Sequence, residues 1–169
     1  MSPKAIRAVL EPTRLAVVSA QIEPGALPTV VTFGSHARGA TRLLLEFGDS
    51  LQLREVEAAF LLLDPANGVA RGSEDVTVEA FRLADAWDDA ALSWVRGPRR
   101  LLPSATGIAR PSPPTPLRID VTNIVRYLAA HPEAHRGLLL SAGAGAGAGV
   151  SFNTGIAGGQ GPRLELYGR

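Results

Sequence analysis

Residues 85–98, D-A-W-D-D-A-A-L-S-W-V-R-G-P, hold both tryptophans of the chain seven positions apart, interleaved with acids and closed by a Gly-Pro pair. Two chemistries fit that composition. An exposed indole of Trp87 or Trp94 stacks on the apolar face of a sugar ring; a buried one caps the end of a core while Asp88 or Asp89 fixes the turn by accepting backbone amides. The paired carboxylates Asp88 and Asp89, like Glu74 and Asp75, also carry the oxygen donors that calcium takes together with backbone carbonyls. Ordinary turn acids produce the same pattern. Trp87, Asp88, Asp89 and Trp94 are therefore the ligand-binding candidates, Asp88 and Asp89 the calcium candidates, and no other cofactor is expected.

The three histidines offer less. His131 and His135 are four apart in H-P-E-A-H, a spacing that zinc helices use, but Pro132 opposes a continuing helix and no third ligand is evident. His36 lies near Ser35 and Arg38 in a glycine-flanked stretch, and adjacency in sequence is not the geometry of a catalytic triad. No nucleophile-elbow or phosphate-loop pattern occurs. The expectation is a chain that is not an enzyme.

Composition sets the frame in which those residues must be positioned. The chain has 169 residues, enough for one domain with a full core, so a single domain over residues 1–169 is expected. A net charge of +1 gives no counterion-release argument for nucleic acid and no attraction to an anionic membrane. Cysteine is absent, which leaves burial alone to stabilise the fold. No apolar run of secretory length precedes Glu11 and Pro12, and the stretch 58–63 is far too short to span a bilayer. Cytoplasmic synthesis without a signal peptide and without membrane insertion is the expectation, in a chain destined for a particle or an exported surface structure.

Eighteen glycines and thirteen prolines punctuate segments of strand length. Residues 42–47 (R-L-L-L-E-F) send Leu43, Leu45 and Phe47 to one face, and residues 56–63 are so apolar that both faces should be covered. Residues 75–83 alternate as a half-buried strand with Val76, Val78 and Ala80 on one face. Segments 15–20, 29–33, 117–121, 137–141, 149–152 and 163–167 complete the set. The fold class expected is all-β, an antiparallel jelly-roll β-sandwich of about 8–9 strands with one short helix. That helix follows Asp120-Val121-Thr122, where Ile124, Val125 and Leu128 fall at helical spacing, Thr122 serves as N-cap and Pro132 stops the helix. A second turn of helix is expected over residues 86–92, opened by Asp85. The proline-rich residues 102–116 read as a surface loop joining two strands, and residues 143–149 (G-A-G-A-G-A-G) as a hairpin loop or a contact surface.

Four stretches resemble the DNRLRE-domain family of disaggregatase-related jelly-roll modules. T-R-L-L-L-E-F-G-D-S-L with V-E-A-A-F-L-L-L resembles its opening strands. V-T-V-E-A-F-R-L-A-D-A-W-D-D-A-A-L-S-W-V-R-G-P is similar to its Trp-Asp-Glu, Thr-Trp, Pro signature, with Asp89 and Ser93 in place of Glu and Thr. L-R-I-D-V-T-N-I-V-R-Y-L resembles its Asp-Val-Thr strand and helix, and G-P-R-L-E-L-Y its final Pro-Arg-Leu strand. The family's Asn-Tyr-Gly loop has no counterpart in G-S-H-A-R-G-A at residues 34–40. The resemblance implies a non-catalytic sandwich in which Trp87, Trp94, Asp120, Thr122 and Pro162 are structural. Two function classes are expected: a subunit or decorating protein of a larger assembly, such as a phage tail, injection apparatus or spore coat, held by protein partners or self-assembly, which the lack of a visible signal peptide and second domain favours; and a module for carbohydrate binding or cell-surface adhesion that takes a polysaccharide.

Overall fold

Alternation along each strand decides which side chains meet between the layers. Val17, Leu43, Leu45, Leu138 and Leu140 lie in the main core, while their neighbours Ala16, Val18, Leu44 and Leu139 form a second buried cluster. Successive strand residues point to opposite faces, so one sheet is greasy on both of its sides. The computed structural model describes residues 6–19, 27–34, 41–48, 55–67, 72–87, 99–134, 137–142 and 149–168.

Eleven strands and one α-helix occur among these residues. They are β1 (Ile6–Leu10), β2 (Arg14–Val18), β3 (Val30–Phe33), β4 (Arg42–Glu46), β5 (Val56–Leu63), β6 (Val76–Leu83), β7 (Arg100–Ala109), β8 (Leu117–Asp120), α1 (Thr122–Ala130), β9 (Leu138–Ser141), β10 (Val150–Asn153) and β11 (Arg163–Gly168). A four-stranded sheet runs β1-β11-β5-β8, a five-stranded sheet β2-β4-β9-β6-β7, and β10 pairs with β3 apart from both. Every ladder is antiparallel. The inward residues of the two larger sheets, among them Leu61, Leu63, Leu164 and Leu166 facing Leu43, Leu45, Val78 and Leu140, fill one shared core. The chain is an all-β sandwich, as its rhythm predicts.

All nine segments expected as strands contain one. The two additional strands correct the count. β1 is the I-R-A-V-L near the amino terminus, with Ala8 and Leu10 packed against the core. β7 corrects the reading of residues 102–116 as loop, for its ten residues begin at Arg100 and include Pro103. β7 is the last strand of its sheet, so an amide missing on the outer side removes no ladder bond. The register also jumps there, with Phe81 opposite Ser104 but Arg82 opposite Leu101, which leaves Pro103 outside the pairing. Pro111, Pro113 and Pro114 lie in the turn that follows β7.

β5 is apolar because it is central, between β11 and β8. Its inward Ala59, Leu61 and Leu63 are fully buried. No second layer covers its outer side among the described residues. Phe60 there meets the Tyr167 ring edge-on at 6.2 Å and the Arg118 guanidinium at 3.7 Å, so neighbouring side chains supply the cover.

One lateral side of the sandwich is closed. The end strands β7 and β8 pass so near each other that a Cβ on Gly107 would lie 2.6 Å from Ile119 Cγ1. α1 packs over the same side against β5 and β7, burying Ile124, Val125 and Leu128. The helix ends at Ala130, where the His131 amide reaches the Tyr127 carbonyl and Pro132 begins a separate 3-10 turn. On the opposite side, β1 and β2 are the terminal strands of their sheets, joined by residues 11–13. No described helix is long and apolar enough to cross a membrane.

Candidate functional site

The turn between β1 and β2 and the loop between β10 and β11 face each other across a groove of about 470 Å³, within the range of ligand pockets. Its floor and rim include Val9, Glu11, Arg14, Leu27, Thr154, Ile156, Gln160, Pro162 and Arg163. Sequence shapes the loop directly. Gly155, Gly158 and Gly159 adopt positive φ, and a Cβ on Gly161 would overlap the Thr154 carbonyl oxygen. The Thr154 hydroxyl donates to the Pro28 carbonyl at 2.8 Å and its amide to Thr29, which ties the loop to the entry of β3.

Electrostatics in the groove are largely settled internally. Arg163 forks onto Asp64 at 3.0 and 3.2 Å, and Arg14 donates to Glu46 at 2.9 Å. What remains outward is mixed, with Glu11 and Gln160 exposed beside aliphatic side chains. Of the five large apolar side chains that are exposed among the described residues, three line this groove: Val9, Leu27 and Ile156. The lining suits mixed aliphatic and polar contact with a macromolecule. Stacking on a sugar ring calls for an aromatic face, which the lining lacks.

Arg14 links the groove to the tryptophan corner. Its guanidinium lies 4.0 Å from the centre of the Trp87 ring and donates to the Trp87 carbonyl at 2.9 Å. Trp87 is 5% exposed and packs with Ala16, Val18, Leu44, Leu83 and Leu139 on the outer face of the five-stranded sheet. The expectation of an indole capping the core between the sheets is thereby relocated to the other side of one sheet. Phe81 and Leu83, which blur the alternation of β6 in sequence, continue this outer face. The Trp87 Nε1–H has no hydrogen-bond partner among the described residues. Asp85, Ala86 and Trp87 are irregular rather than helical. Asp85 instead clamps the exit of the loop, accepting from the Arg99 guanidinium and amide, and these bonds lower its carboxyl below the usual range. Asp88, Asp89 and Trp94, and the rest of the expected helix over residues 86–92, lie outside the described residues.

Asp120 and Thr122 are brought together at the start of α1, though not as expected. Thr122 is the first helical residue and Val121 the N-cap, with no side-chain cap bond. The Thr122 hydroxyl accepts the Ala59 amide of β5 at 3.0 Å, while Asp120 Oδ1 accepts both the Thr122 amide and hydroxyl. Those bonds from Thr122 hold the Asp120 carboxyl below its ordinary value. Thr122 is placed so because the β5–β8 ladder stops at Phe60, and the hydroxyl supplies an acceptor to the next amide, that of Ala59, on this side of β5. A shallow polar groove of about 430 Å³ beside them includes Glu57, Ser104, Thr106, Asn123 and Arg126. Arg126 is engaged with the Val56 and Glu57 carbonyls at 2.7 and 2.9 Å.

The remaining candidates are scattered. Glu74 and Asp75 are exposed, and Asp75 faces Arg110 at 3.9 Å. His131 stacks on Tyr127 at 4.3 Å with Nδ1 3.0 Å from the Tyr127 carbonyl. His36, Ser35, Arg38, His135 and residues 143–148 lie outside the described residues. No group of three His, Asp or Glu side chains placed to hold a metal ion occurs among the described residues. Pro162 is buried at the base of the groove, immediately before β11. The groove itself is absent from the sequence reading; the run T-G-I-A-G-G-Q-G-P was its one visible sign. No family model matches the chain, and no curated protein matches it.

Proposed function

We propose that this chain is a non-catalytic sandwich module, related to the DNRLRE-like jelly rolls it resembles, that serves as a structural or decorating subunit of a larger assembly. One observation carries the reading: Val9, Leu27 and Ile156 gather around one groove whose arginines are already paired. Aliphatic side chains gathered at one place, beside the polar Glu11 and Gln160, favour a protein surface as partner, since protein contact sites pair apolar side chains with polar ones. Polysaccharide binding, the second function class, finds less support there because the groove offers no aromatic face.

A glycan array run beside sedimentation of the purified chain tests this. The assembly reading expects no saturable glycan binding, and a mass above that of the monomer or a stable complex with a protein partner. Saturable binding to a polysaccharide that Ile156→Asp abolishes would transfer the assignment to carbohydrate recognition.

A further inference from the structure

Resting on the assembly reading, we infer that two copies of this chain join through β1, edge to edge and antiparallel, merging two four-stranded sheets into one of eight. β1 is the terminal strand of its sheet and pairs, among the described residues, with β11 alone. An end strand offers a row of backbone donors and acceptors, and proteins blunt it by shortness, by edge charges, or most firmly with proline, a bulge or an inward charge. β1 has five residues and one edge charge but no proline, bulge or inward charge. Its sequence I-R-A-V-L includes one charge, and Arg7 leans outward onto Glu165 of β11 at 3.2 Å. The contrast is β7, which holds Pro103 and lies against β8.

The occupant is a second copy because the strand is complementary to itself. Pairing centred on Ala8 is the antiparallel register that engages all five residues. It sets Ala8 against its own counterpart, a small residue on the twofold axis, and Arg7 against Val9 of the second copy. No like charges face each other, and each guanidinium keeps its carboxylate. Ala8 and Leu10 stay over the core, while Val9, 46% exposed in the single chain, gains a neighbour on the outer face. A twofold axis is also the commonest symmetry of soluble oligomers.

Sedimentation of the full chain over a range of concentrations, with two substitutions, tests the inference. Val9→Lys puts a lysine opposite Arg7 of the second copy at two symmetric places, yet beside Glu165 within its own chain, where Val9 and Glu165 are paired. The expected result is a reversible dimer whose dissociation constant rises about tenfold in V9K, as two opposed like-charge pairs imply, with thermal unfolding of the dilute chain unchanged. Opposed residues in an antiparallel pair have Cα atoms about 4.5–5.5 Å apart, within disulfide reach. Because the chain has no cysteine, Ala8→Cys should yield a disulfide-linked dimer on mild oxidation, and Leu102→Cys, equally single and 71% exposed on β7, should not. A strict monomer at every concentration overturns the inference, as does a dimer indifferent to V9K, or equal cross-linking of A8C and L102C. Each of those results leaves the assembly reading standing, which falls separately to saturable glycan binding.

Discussion

Thr122 shows how one hydroxyl does the work of a missing strand. It accepts the Ala59 amide, donates to Asp120, and so fastens α1 to β5 at the point where the β5–β8 ladder stops. Thr122→Val keeps the shape and removes the acceptor, leaving a buried amide unmatched. A loss of about 1–3 kcal/mol is expected in urea unfolding, with Thr122→Ser losing less than half of it. Trp87 gives the larger effect. Nearly all of its surface is buried, and Arg14 is stacked upon it. Trp87→Ala should cost about 3–5 kcal/mol by the same measurement, the range for emptying an aromatic site. A folded Trp87→Ala with unchanged midpoint would show that the outer cluster contributes little.

At the scale of elements, the closed side depends on how nearly two end strands approach. Gly107 faces Ile119 Cγ1 and, at 3.2 Å, Leu117 Cδ1, so an added methyl must push β8 away from β7 or displace core side chains. Gly107→Ala should destabilise by about 1–3 kcal/mol, as overpacking does, and exchange of the α1 amides should quicken because the helix lies over this seam. Unchanged exchange would place the helix on β5 alone. β7 also explains a failure of pattern reading. Proline density at residues 103–116 signals loop, yet a proline is costless at an outermost position, and which strand is outermost is not written in local sequence. β1 goes unpredicted because Arg7 alone interrupts its apolar residues, too weak a period to mark a strand.

For the whole molecule, acid is the natural probe. Asp120, through its bonds from Thr122, Asp85, through those from Arg99, and Glu165, through that from Tyr167 and then Arg7, all have carboxyl values lowered in the folded state. A lowered value means the folded chain holds fewer protons than the unfolded one. The stability these groups add is complete above the unfolded carboxylate values of about 4 and is lost as pH falls through the folded values. Urea midpoints should hold steady from pH 7 to about 5 and drop below about 4, and Asp120→Asn should flatten that acid limb. A midpoint independent of pH down to 3 would contradict it.

By itself, the sequence determined the fold class, nine of the strands and the position of α1. Alternation and apolar spacing are local properties, and the hydrophobic effect reads them wherever the segment ends up. It also placed Asp120 and Thr122 at the start of α1, though Thr122 bonds a strand instead of capping the helix, since that choice depends on what lies across the gap. Tertiary structure alone decided that Trp87 sits on the outside of one sheet, that β7 is an end strand able to hold Pro103, and that Val9, Leu27 and Ile156 meet around one groove. These are contacts between residues far apart along the chain, fixed by the order of strands in the sheets, and no local pattern encodes that order.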